Sequence, residues 1–110
     1  MDKIIVGLVE PVKIEGKEVL ARIDTGANNN SIDKSLAKEL KLGPVIKTIV
    51  VKSSNGKELR PIVKANLEIG GKLIETTFNV SDRSHMKYKA LIGQKVLKEG
   101  FLIDPCKERK

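Results

Sequence analysis

Most of this chain consists of short runs of β-branched and other apolar residues, each closed by a turn former, and that rhythm dictates a sheet. Residues 4–9, 19–23, 45–51, 59–67 and 73–80 are such runs, bounded by glycine, proline or asparagine. Asn55-Gly56 and Gly70-Gly71 each lie between two of them and predict tight hairpins, because those dipeptides accept the positive φ that such turns require. Glu15-Gly16-Lys17 is a further candidate turn. Two stretches break the rhythm. In residues 34–42, Leu36 and Leu40 stand four apart with Ala37 between them; Ser31 or Asp33 can cap the start, and Gly43 with Pro44 can end it. Residues 94–99 form a short amphipathic turn closed by Gly100, with Val96 and Leu97 as its apolar face. The expectation is one all-β domain over residues 1–110, carrying two short helices.

Composition narrows the chemistry. Hydrophobic residues make up 40% of the 110 and charged residues 32%, which fits a folded domain. No apolar run nears the ~20 residues of a membrane-spanning helix. Residues 1–9 are too short and interrupted for a signal peptide, so the expected location is the cytoplasm, with no membrane partner. One cysteine (Cys106) and one histidine (His85) exclude an intrachain disulfide and a Cys/His zinc site within one chain. No metal and no organic cofactor is expected. A serine or cysteine nucleophile would have to use His85, which sits in a charged stretch with no flanking motif.

The net charge is +7, from 21 basic and 14 acidic residues, with a pI near 9.6. Such a surface favours acidic partners. The lysines are spread from Lys3 to Lys110, largely alternating with apolar residues, as on the solvent face of a sheet. Only Phe78, Tyr88 and Phe101 are aromatic, too few for a base-stacking platform, so a nucleic-acid-binding barrel ranks behind a peptide-directed protein.

The informative segment is Val19-Leu20-Ala21-Arg22-Ile23-Asp24-Thr25-Gly26-Ala27. A strand delivers a carboxylate to its own end, and a tight turn follows at once. Gly26 lets its backbone approach the carboxylate and present an N–H, and the short hydroxyl of Thr25 can brace the loop. A carboxylate held in this way suits general acid/base work on water. Asp-Thr-Gly alone is an ordinary strand-ending turn. Here it is followed by an apolar position at Ile32, and Gly93 closes a second apolar run, Ala90-Leu91-Ile92-Gly93, 67 positions after Gly26, with a helix directly behind it.

From Leu20 to Pro105 this combination resembles the retropepsin-like aspartic proteases, in which such a loop packs on a later hydrophobic-hydrophobic-Gly segment. Residues 76–94 and 102–105 look like a stand-alone prokaryotic branch often labelled "ATP-dependent zinc protease". The chain carries no HExxH motif and no phosphate-binding glycine loop. The resemblance implies a closed barrel that is one half of an acid protease. It implies Asp24 as the catalytic aspartate, Thr25 bonding to the matching loop of a second subunit, and Gly26 and Ala27 completing the active-site loop. Asn28 and Asn29 would contact substrate, where retroviral members carry acidic residues, and Asn30 replaces a hydroxyl residue. Ser53, Ser54, Asn55, Gly56 and Lys57 would form a flap with an unusually polar tip, and Leu91, Ile92 and Gly93 would pack the loop.

Hydrolysis of this type needs two carboxylates around one water, and the chain has one Asp-Thr-Gly. Asp33, Asp82 and Asp104 lack its flanking pattern. A two-fold homodimer would supply the second carboxylate, with residues 3–9 and 101–103 as candidate joining strands unless they pair within one subunit. The expected activity is a homodimeric aspartic endopeptidase acting on peptide or protein substrates, with acidic peptides suggested by the charge. The polar flap and the run Asn28-Asn29-Asn30 favour the alternative, a catalytically silent module for dimerisation or peptide binding.

Overall fold

The computed structural model describes residues 2–53 and 56–107. In chain order the elements are β1 (Ile4–Val6), β2 (Val9–Ile14), β3 (Lys17–Ile23), β4 (Asn30–Asp33), α1 (Lys34–Glu39), β5 (Val45–Ser53), β6 (Gly56–Ile69), β7 (Lys72–Ser81), β8 (Ala90–Ile92), α2 (Gln94–Leu97) and β9 (Phe101–Ile103). β2 pairs with β3, β3 with β8, β8 with β4, β4 with β7, and β7 with β6. β6 then returns to β2 through Lys13 opposite Glu68 and Ile14 opposite Leu67. Six strands therefore close into a barrel, which is the all-β architecture with two short helices expected above. β5 lies outside the ring, added to the edge of β6 as a long hairpin.

Turn chemistry sets the register. Glu15 and Gly16 (φ 49° and 82°) join β2 to β3, and Gly70 and Gly71 (φ 58° and 82°) join β6 to β7; both are two-residue loops with positive φ throughout, whose twist matches that of the strands. Along β6 the core side chains Val63, Ala65, Leu67 and Ile69 alternate with more exposed neighbours, as the pleat requires. Phe78, Ile14, Ile32, Leu67, Ile69 and Ile92 are fully buried and fill the barrel.

Helix α1 is shorter than the expected 34–42. Asp33 is its N-cap, accepting from the Ser35 N–H. At the other end Lys41 takes φ 57°, and the N–H groups of Leu42 and Lys41 donate to the carbonyls of Ala37 and Lys38. That pair of bonds closes the helix with a lysine in the position glycine usually fills, two residues before Gly43.

The N-terminal run is not one strand. It breaks at Gly7, whose N–H donates to Glu10 Oε1 at 2.6 Å, and a Cβ there would lie 2.9 Å from the Lys107 carbonyl oxygen. The Lys107 ammonium reaches the same buried Glu10 oxygen at 3.0 Å. The proposed joining role of residues 3–9 and 101–103 is corrected in part: β1 and β9 pair with each other, in parallel, within one chain. Each strand thereby fills one edge of the other, and their second edges take no strand among the described residues.

Replacing Phe78 by Ala removes the largest fully buried side chain, from a strand flanked by β4 and β6. A loss of about 3–5 kcal/mol is expected, read as a lower urea midpoint at unchanged slope.

Candidate active site

β3 ends at Ile23 because β8 runs parallel beside it only as far as Ile92, and the Asp24 N–H donates across to the Ile92 carbonyl at 2.9 Å. The chain then turns. The Gly26 N–H donates to Asp24 Oδ1 at 2.8 Å, and the Ala27 N–H donates to the Asp24 carbonyl at 3.3 Å. A Cβ at position 26 would stand 3.1 Å from that same carboxylate oxygen. Asp24 is half-buried while Thr25 and Gly26 are exposed. The Thr25 hydroxyl has no hydrogen-bond partner among the described residues, so its expected bracing role is not filled within one chain.

What holds the loop is the junction of β8 with α2. Leu91 and Ile92 lie in register with Arg22 and Ile23, and at Gly93 the two segments touch backbone to backbone. A Cβ on Gly93 would sit 2.4 Å from the Asn29 carbonyl oxygen and 2.7 Å from that of Ala27. The first two N–H groups of α2, on Gln94 and Lys95, donate to the carbonyls of Ala27 and Asn28, and the Gln94 side chain donates to the Thr25 carbonyl at 2.6 Å. Helix ends leave such N–H groups without intrahelical acceptors, and the loop supplies them.

Asn30 completes the brace from below. It is fully buried, donates through Nδ2 to Thr76 Oγ1 and the Thr77 carbonyl, and accepts the Gly93 N–H at 2.9 Å. One side chain thus ties β4, β7 and the end of β8 together. A hydroxyl could not make all three bonds at once with the same reach.

Two clefts flank the loop. One, of about 310 Å³, is lined by Asn29, Lys47, Thr77, Asn79 and Lys95 with Ile46, Ile49 and Ile62. It lies against β5, β6 and β7, under the hairpin expected to act as a flap. The other, of about 500 Å³, contains Asp24 and Thr25 with Leu8, Arg22, Ile23, Arg83, Met86, Lys87, Tyr88 and Leu91. Asn28 is exposed beside the loop and lines neither. In the hairpin, Ser53 is in register with Gly56 and Lys52 with exposed Lys57; Ser54 and Asn55 lie outside the described residues. Arg22, Arg83 and Lys87 share the second cleft with Asp24, and Lys47 and Lys95 line the first, so the two linings together hold five cations and one carboxylate. Arg60, hydrogen-bonded to Asn79 Oδ1 and Glu58, has a buried Nε with no partner. Burial pushes the Arg83 guanidinium below its ordinary value and Arg60 adds to this, while Asp33 and Asp24 oppose it.

Sequence reasoning passed over Arg83, Gln94 and Lys95 as site residues. Gln94 and Lys95 were legible as the residues directly after Gly93. Arg83 had no signal, since it sits in the charged stretch around His85.

A family model described as RimB-like, retropepsin-like aspartic endopeptidase RimB, matches residues 33–110. No protein with a curated description matches significantly. Among solved structures, a Legionella pneumophila subsp. pneumophila protein of unknown function is similar over 94% of both chains (TM-score 0.68, 20% identity). EIAV protease complexed with the inhibitor HBY-793 is similar over 83% of this chain and 85% of its own (TM-score 0.71, 18% identity). Simian Foamy Virus (mac) protease is similar over 82% and 91% (TM-score 0.65, 17% identity). At these identities the likeness concerns the fold. The "ATP-dependent zinc" wording has no counterpart in the family match, and among the described residues no group of three or more His, Cys, Asp or Glu could hold a metal ion.

Asn30→Ala would strand the buried Gly93 N–H and Thr77 carbonyl. Stability should fall by about 2–4 kcal/mol in chemical denaturation, more than for alanine at exposed Asn28 or Asn29.

Proposed function

The chain belongs to the RimB-like family of retropepsin-like aspartic endopeptidases, and on that premise we propose that it hydrolyses peptide bonds as a homodimer, with one Asp24 from each copy. The observation that carries this reading is the Asp24 loop itself. A single carboxylate is held at a strand end by backbone bonds to Ile92 and Gly26, on a surface where the next residue, Thr25, offers an unpaired hydroxyl. Such a half-site is chemically incomplete. Two aspartates about 3 Å apart cannot both ionise and so hold one proton between them. The charged member draws a proton from water as that water attacks the scissile carbonyl, and the neutral member donates to the carbonyl oxygen.

A second copy has apolar surface to cover near the loop. Leu8 and Met86, both 44% exposed, rim the Asp24 cleft, and the β1–β9 ribbon presents Ile5 and Leu102. In this reading Asn28, Asn29 and the hairpin tip from Ser53 to Lys57 contact the bound peptide, which would lie along the two clefts.

The substrate is proposed to be acidic. Five cations against one carboxylate across the two linings make a positive field into which carboxylates on the substrate would be drawn. These groups are partly solvated, so the preference should be salt-sensitive.

Purified protein and its Asp24→Asn version, incubated with glutamate-rich and neutral peptides, test the reading. Cleavage should fall by about 10²–10⁴-fold or more in the variant, and both proteins should sediment as dimers. For the active form, glutamate-rich peptides should be cut about tenfold or more faster at low salt, the gap narrowing by 0.5 M. No cleavage by either protein, with dimers and peptide binding intact, would favour a silent binding module instead.

A further inference from the structure

We propose that Lys89 is a positioning residue that locks loop 82–89 into a fixed wall of the Asp24 cleft. The loop supplies Arg83, Met86, Lys87 and Tyr88 to that cleft. Its sequence, Asp-Arg-Ser-His-Met-Lys-Tyr-Lys, has little apolar material with which to fix a shape. The structure shows another means. The Lys89 ammonium sits inside the curve of the loop and donates to three backbone carbonyls: Arg83 at 3.0 Å, Ser84 at 2.6 Å and Met86 at 2.9 Å. An ammonium carries three donors and no acceptor, so this cage uses its whole capacity.

The remaining loop bonds depend on that curve. The Arg83 guanidinium donates through Nε and Nη2 to the Tyr88 carbonyl at 3.2 and 3.1 Å, and the Met86 N–H donates to the Arg83 carbonyl. Both ends are tied to Asp33: its Oδ1 accepts the Arg83 N–H at 2.7 Å, and its own N–H donates to the Lys89 carbonyl at 2.8 Å. Asp33 is buried and caps α1, so the loop is anchored to the barrel through the same residue that starts the helix. The cations of this segment therefore divide by role. Lys89 neutralises inward-facing carbonyls, whereas Lys87 stays exposed on the cleft rim, its Nζ 5.5 Å from the Tyr88 ring centre. Removing the Lys89 ammonium takes the shared cation from three convergent carbonyls and leaves only that of Arg83 with a donor within the loop, the Met86 N–H, and the wall opens.

The effect on substrate rests on the proposed endopeptidase reading; the effect on the loop does not, and the test separates them. Lys89→Ala is compared with wild type by hydrogen exchange and by peptide cleavage, each with and without ethylammonium, which can refill the cage. Protection of the Arg83 and Met86 amides should fall at least about tenfold in the variant and return with the amine. KM for a glutamate-rich peptide should rise about tenfold with kcat within about twofold, and recover in parallel. Unchanged protection overturns the lock, and lost protection with unchanged KM overturns the positioning role. If wild type cleaves nothing, the endopeptidase reading is what fails, and the exchange result still decides the loop.

Discussion

The backbone contact at Gly93 is the constraint on which the rest of the site depends. Parallel pairing of β3 and β8 brings the Asp24 turn against the start of α2 with no room between them, since any Cβ at 93 would enter the carbonyls of Ala27 and Asn29. That closeness is what lets the first N–H groups of α2 serve the loop carbonyls, and what puts the Gly93 N–H within reach of Asn30. The carboxylate is therefore oriented by main-chain geometry. Its precision comes from the barrel and does not need a neighbouring charge.

This explains which parts were legible in the residues. Strands β5, β6 and β7 follow from β-branched runs, and the β6–β7 turn from the positive-φ pair Gly70-Gly71, all of which act locally. The Asp24 loop and Gly93 were legible as a pair because a glycine where two backbones meet has no substitute. β4 was not. Asn30, Ser31 and Asp33 are polar, and they form a buried strand only because β7 and β8 satisfy their backbone while Asn79, Thr76 and Arg83 satisfy their side chains. β2 was hidden by Glu10 and Pro11; the carboxylate becomes a buried residue only once Lys107, 97 positions away, reaches it. Long-range partners of that kind leave no periodic trace.

The basic composition illustrates the same division. Spread along the sequence, the lysines read as the solvent face of a sheet, and for many of them that holds. Folding nevertheless gathers Arg22 from β3 and Arg83 and Lys87 from one loop into the cleft that holds Asp24, and Lys47 from β5 and Lys95 from α2 into the neighbouring cleft. No window of sequence holds that cluster. It arises because the barrel closes β6 on β2 and carries the β5–β6 hairpin over the side on which α2 begins.

A site assembled in this way must be stiff on both sides of the reacting bond, because a carboxylate pair sharing one proton tolerates little misplacement. On the α2 side, stiffness comes from close-packed backbone. On the other side the wall is a polar loop, and close packing is not available to it. The alternative is saturation: the inward carbonyls of the loop are given cationic donors, and both ends are tied to buried Asp33, one through its carboxylate and one through its N–H. Charged side chains that look in the sequence like surplus solvent-facing groups thereby become internal struts. A substitution that preserved the net charge of residues 82–89 while moving the lysine at 89 elsewhere in the loop would keep the field at the cleft and lose the shape of its wall.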